Sequence, residues 1–132
     1  LGRKAGAGYY RYVDGKRERA SDEQVRAVIA DASARRGLTR QPIAPAAIQR
    51  RVMLAMVNEA AQVLAEGVAA RAGDIDVVLA LGYGFPRWEG GPVFWARRQD
   101  RRELERDIAQ MVALSGHGFR AADLEPLLRE AD

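Results

Sequence analysis

A chain of 132 residues with 48% apolar and 30% charged side chains can bury roughly two-thirds of its unfolded surface, and its composition is that of a folded domain, not a disordered one. With no cysteine it cannot build a disulfide framework, a thiolate metal site or a catalytic thiol, and no apolar run approaches the ~20 residues of a membrane-spanning helix. The net charge of +3 conceals an asymmetry, since residues 1–51 carry 12 basic and 5 acidic groups and residues 52–132 carry 9 and 13; yet 19 of the 21 cations are arginines scattered between acids, which is the pattern of a mixed-charge surface.

The first twenty residues read as an extended arm, and LGRKAGAGYY lacks the apolar stretch of a secretory signal. Tyr9-Tyr10-Arg11-Tyr12-Val13 is β-prone and Asp14-Gly15 offers a tight turn, but Lys16-Arg17-Glu18-Arg19-Ala20 is too polar to promise a buried partner strand. Ser21 and Gln24 have the spacing of a capping box, with Asp22 and Glu23 in the first turn. A helix is therefore predicted over about 22–36, apolar on Val25, Val28, Ile29 and Ala32 and stopped by Gly37. Residues 37–44 read as a linker.

Pro45 suits a first helical turn, and the longest helix is predicted from there to about Ala70. Met53, Val57, Ala60, Leu64 and Val68 form its apolar arc, widened by Val52, Met56 and Val63, with Arg51, Asn58, Glu59, Gln62 and Glu66 opposite. Asp74 reads as the N-cap of a short helix ending near Leu81. Helices near 92–99, 101–114 and 121–130 follow, the last after a Ser-Gly-His-Gly-Phe turn. The fold predicted is all-α: a bundle of five to six helices forming one domain over residues 21–132, preceded by the 1–20 arm, with no convincing sheet.

Residues 82–96, GYGFPRWEGGPVFWA, break this helical pattern with glycines, prolines and aromatic rings, and admit three readings: a phosphate cradle, an aromatic nucleic-acid platform, or a corner between helices. A dinucleotide fingerprint needs a third glycine, but Gly6-Ala7-Gly8 leads to Arg11 and Gly82-Tyr83-Gly84 leads to Arg87; Gly-Lys-[Ser/Thr] occurs nowhere. Tyr9, Tyr10, Arg11 and Tyr12 resemble a stacking platform locally, and an edge segment packed on helices explains them more simply, so no nucleic-acid partner is expected. At the corner, Gly82 and Gly84 permit positive φ, Pro86 ends any helix through Phe85, Gly90-Gly91 turns the chain again and Pro92 starts the next helix. Tyr83, Phe85, Trp88, Phe94 and Trp95 are expected to plug it.

Catalytic groups are sparse. His117 is the only histidine, in a turn where capping accounts for it, and metal ligation lacks a second. Glu59 and Glu66 share a helical face near Gln62, where a solvated surface explains them; Asp74 and Asp76 are accounted for by helix capping. Asn58 interrupts the apolar Met53–Val57 run with a side chain of poor helix propensity, and either a helix-to-helix hydrogen bond at the core's edge or a functional amide explains it.

The ordered set Gly2-Arg3-Lys4-x-Gly6-x-Gly8-Tyr9-Tyr10-x-Tyr12, Ile48-x-Arg50, Met56-Val57-Asn58-Glu59-Ala60, Glu66-Gly67, Asp74-Ile75-Asp76, Gly82-x-Gly84-Phe85-Pro86 and Gly90-Gly91-Pro92 resembles the C-terminal helical domain of 3-hydroxyacyl-CoA dehydrogenases. More narrowly, it is similar to the second helical copy in the multifunctional fatty-acid β-oxidation proteins, which fuse this dehydrogenase to an enoyl-CoA hydratase. The resemblance implies a fold like the C-terminal domain of 6-phosphogluconate dehydrogenase, and a chain corresponding to one piece of a larger protein. It implies that NAD and the catalytic His and Glu belong to a nucleotide-binding domain of the parent, so that this stretch binds no cofactor or metal, holds no catalytic residue and is inactive alone. Asn58 matches a substrate-side asparagine whose working version comes from the first copy. The implied partners are the first helical copy, the NAD-binding domain, acyl-CoA in the parent and a second copy when isolated, and the setting expected is the bacterial cytoplasm. The alternative is a stand-alone helical interaction module with a basic N-terminal arm.

Overall fold

Asp14 and Gly15 both adopt positive φ, of 49° and 72°, which gives the two-residue turn whose twist matches a β-hairpin. The computed structural model accordingly pairs β1 (Tyr10–Val13) antiparallel with β2 (Lys16–Ser21), Tyr12 facing Arg17 and Val13 facing Lys16, with a bulge between Tyr10 and Tyr12. The polar sequence of β2 does not prevent pairing, because a two-stranded ribbon needs backbone hydrogen bonds and leaves its side chains in water; Arg17 lies over the Tyr10 ring at 4.6 Å. The arm expected to be merely extended is thus a hairpin.

The structure describes residues 3–6, 8–21, 23–115 and 118–129 and divides into two compact units, Leu1–Pro42 and Ile43–Asp132, rather than at residue 20. The first unit holds the hairpin and α1 (Glu23–Arg35), which closes where Gly37 N–H bonds Ala34 O and Leu38 N–H bonds Ser33 O. The Ser21 hydroxyl expected to cap this helix, and Asp22, lie outside the described residues.

The second unit is built around α2 (Pro45–Ala65), against which α3 (Ala72–Gly82), α4 (Pro92–Arg97), α5 (Arg101–Ser115) and α6 (Glu125–Leu128) all pack. α2 stops five residues before the predicted end. Gly67, at φ 70°, lets Val68 N–H reach Val63 O and Gly67 N–H reach Leu64 O, a left-handed termination that satisfies the helix's last carbonyls. α3 begins at Ala72, so Asp74 sits inside its first turn and not at the N-cap. α6 is a single turn because residues 118–124 run irregularly before it.

The core comprises Leu54, Val57, Ala60 and Ala61 of α2, Val93 and Ala96 of α4, Leu104 and Ile108 of α5, and Leu124 and Leu127 at α6. Its position corrects the predicted arc: Leu54, Val57, Asn58 and Ala61, spaced at i, i+3, i+4 and i+7, face inward, while Val52 and Val68 lie exposed at 54% and 74%. The predicted arc runs too far round because α2 has apolar residues on two faces, only one of which the unit covers, and Val68 lies beyond its end.

α2 and α5 are also joined through charge. Arg50 donates to Asp107 Oδ2 at 2.7 Å and to Gln99 Oε1 at 3.3 Å, with its guanidinium 5.8 Å from the Trp95 ring. Since Asp107 is largely shielded, truncating Arg50 strands a carboxylate. Arg50→Ala is expected to lower unfolding free energy by about 1–2 kcal/mol in urea titration, and Arg50→Lys to recover only part of it, because an ammonium lacks the planar, fixed fork that reaches Asp107 and Gln99 together beside the Trp95 ring. Equal stabilities of Arg50→Ala and the parent chain would refute this.

Candidate functional site

Three glycines and a carboxylate shape the connection from α3 to α4. Gly84, Gly90 and Gly91 take positive φ, whereas Gly82 is simply the last residue of α3, so the first reversal starts later than predicted. Pro86 leads into a 3-10 turn at Arg87–Glu89, and Pro92 is at the start of α4. What fixes the corner is Asp76, a residue of α3: its carboxylate accepts from Val93 N–H at 2.8 Å and Phe94 N–H at 2.9 Å, capping α4 from a neighbouring helix. Capping explains this aspartate, as the sequence suggested, but of a different helix. The sequence signal available is only that Gly91-Pro92 starts a helix with no N-cap side chain of its own, which calls for an acceptor from elsewhere without naming it.

The rings do not plug the corner. Tyr83 is 79% exposed, Trp88 84% and Phe94 48%, while Phe85 and Trp95 are half-buried. Instead they continue an open apolar surface. One groove of about 660 Å³ runs between α2 and α3, lined by Met56, Ala60, Val63, Ile75, Val78 and Leu79 with Glu59 and Asp74. A second, also about 660 Å³, lies between α2 and the elbow and is lined by Val52, Met53, Met56, Phe85, Trp88 and Trp95 among others. Met56 and Leu79 line both, which makes the surface continuous.

Polar groups on this surface are few. Asp74 pairs with Arg71, whose hydrogen bond is the main cause holding the Asp74 carboxyl below its ordinary value. The exposed pair contributes little; what it adds is present at neutral pH and is lost as pH falls through that lowered value. Glu66 follows the end of α2 and is not brought to Glu59 in either groove. Among the described residues no group of three His, Cys, Asp or Glu could hold a metal ion, and His117 lies outside the described residues.

Asn58 is 2% exposed and both ends of its amide are engaged: Nδ2 donates to Arg120 O at 2.9 Å and Oδ1 accepts from Ala122 N–H at 2.8 Å. The structure places it as a brace for the irregular chain entering α6, away from both grooves. Neither glycine pair fits a dinucleotide, because Gly6 and Gly8 precede a strand, Gly82 ends a helix and Gly84 follows it, whereas a pyrophosphate cradle links a strand to a helix N-terminus.

No protein-family model matches the chain. A peroxisomal bifunctional enzyme of Danio rerio is 34% identical over 97 residues, 73% of this chain and 14% of that protein. A peroxisomal fatty acid beta-oxidation multifunctional protein of Oryza sativa subsp. japonica is 36% identical over 124 residues, 90% of this chain and 17% of that protein. A protein so described from Arabidopsis thaliana is 36% identical over 93 residues, 67% of this chain and 13% of that protein.

The chain belongs to the family of multifunctional β-oxidation enzymes. It spans less than a fifth of the length of these relatives, 14% and 17% of the first two. The bacterial cytoplasm expected from the sequence is corrected by the same comparison, since the named relatives are peroxisomal enzymes of a fish and two plants.

Proposed function

We propose that the Ile43–Asp132 unit is the second helical domain of an NAD-dependent 3-hydroxyacyl-CoA dehydrogenase acting in fatty-acid β-oxidation within a polypeptide that also carries an enoyl-CoA hydratase. Its role is to pack against the first helical copy and so support the acyl-CoA site. The observation carrying this reading is the continuous face of α2, α3 and the elbow, where Val52, Val78, Leu81, Tyr83 and Trp88 stand more than half exposed beside a closed core. NAD and the proton-transferring residues belong to the parent's nucleotide-binding domain, and Asn58 supports the fold instead of touching substrate.

Two measurements test this. The chain alone should not oxidise NADH with acetoacetyl-CoA, and should gain no such activity at high concentration; turnover by the purified chain would end the proposal. In isolation the uncovered face should also drive formation of a dimer that stands in for the missing copy. Sedimentation is expected to show reversible self-association that Tyr83→Ser with Trp88→Ser weakens by roughly tenfold or more, while thermal stability is unaltered because both rings lie in water. A strict monomer at millimolar concentration would remove the dimer from the reading.

A further inference from the structure

The groove between α2 and α3 contains a charge that its walls do not explain. Of its two acidic lining residues, Asp74 is matched by Arg71, whereas Glu59 is exposed and has no ion pair or side-chain hydrogen bond among the described residues. Met56 and Val63 line the same groove at i−3 and i+4 from Glu59, so these three side chains share one face of α2. Anything that lies along the groove and touches both apolar residues must cross Glu59. Covering a carboxylate with apolar surface costs several kcal/mol unless a partner charge or hydrogen bond replaces its water.

Resting on the docking role of this face, we propose that the occupant of the groove is an amphipathic α-helix whose apolar side carries an arginine or lysine that pairs with Glu59. Met56 and Val63 are two turns apart, about 10 Å along the axis, and the floor is aliphatic, which suits a helix laid lengthwise by its apolar positions. The single anion then fixes register and orientation: an apolar helix without the cation, or one bearing an acid there, fits the walls but buries an unmatched charge. The family's relatives extend well beyond the segment matched here, which is 14% and 17% of the first two, so their polypeptides have room for such a helix.

The test uses the whole chain and two synthetic amphipathic peptides with the same leucine–alanine face, one carrying arginine at its centre and the other glutamate. With methyl-labelled methionine, the arginine peptide is expected to shift the Met56 signal and leave that of Met111, which lies outside both of these grooves on α5, in place. Its affinity should exceed that of the glutamate peptide by about tenfold or more at low salt, and Glu59→Gln should bring the ratio close to one. Equal binding of the two peptides, absence of binding by either, or a preference that survives Glu59→Gln would overturn the proposal. So would a Glu59→Gln chain whose self-association changes while peptide preference does not, since that makes the occupant a second copy. None of these results bears on whether the domain packs in the assembled dehydrogenase, which the NADH and sedimentation measurements decide.

Discussion

Gly91→Ala is expected to lower unfolding free energy by about 3–5 kcal/mol, enough to consume much of the stability of a domain this size. Two costs coincide at this residue. Its φ of 121° and ψ of 168° lie in a region open essentially to glycine alone. A methyl group there would also be driven into the Asp76 carboxylate, which must then give up Val93 N–H and Phe94 N–H at the start of α4. Asp76→Ala alone should cost roughly 1–2 kcal/mol, as loss of a cap. The two substitutions should not add: once the carboxylate is gone, Gly91→Ala keeps its backbone strain and its 2.5 Å approach to the Cβ of residue 76 but no longer displaces a cap, and so costs less than in the parent chain. Chemical denaturation of the four-member cycle reads this directly, and strict additivity would show that the close approach of Asp76 to Gly91 is not what holds the corner.

Local chemistry makes much of the fold legible in the sequence. Pro45 and Pro92 begin helices where a missing N–H costs nothing, Gly37 ends one, and Asp14-Gly15 makes the hairpin turn. Features that depend on distant chain were not legible. Whether Tyr83 and Trp88 plug a corner or stand in water depends on what lies opposite them, and nothing in GYGFPRWEGGPVFWA states that. α2 shows the same limit: it is apolar around more than half its circumference, so periodicity alone could not choose between the side that meets α4, α5 and α6 and the side left open at Val52 and Met56. Asp76 caps α4 and not its own helix, and a cap supplied from 17 residues away has no local signature.

Asn58 is where this limit matters most, since its partners lie 62 and 64 residues along the chain. Asn58→Ala is expected to cost about 2–4 kcal/mol, because it deprives Ala122 N–H of its side-chain acceptor, leaves Arg120 O only the longer bond from Gln62 Nε2 at 3.4 Å, and opens a small void beside the core. Leu124 and Leu127, which the braced segment delivers into that core, should loosen with it; amide exchange at Ala122 and Leu127 should therefore accelerate more than in α5. Asn58→Asp keeps an acceptor for Ala122 N–H but turns its second oxygen toward the Arg120 carbonyl, so it should destabilise at neutral pH and recover in part as the carboxyl protonates and becomes a donor. A catalytic amide would behave differently. If Asn58 served bound substrate, its replacement would reduce turnover of an assembled dehydrogenase while the unfolding midpoint and Ala122 exchange stayed where they were. A brace predicts the reverse order, with stability and exchange changing first and activity falling only as the fold is lost.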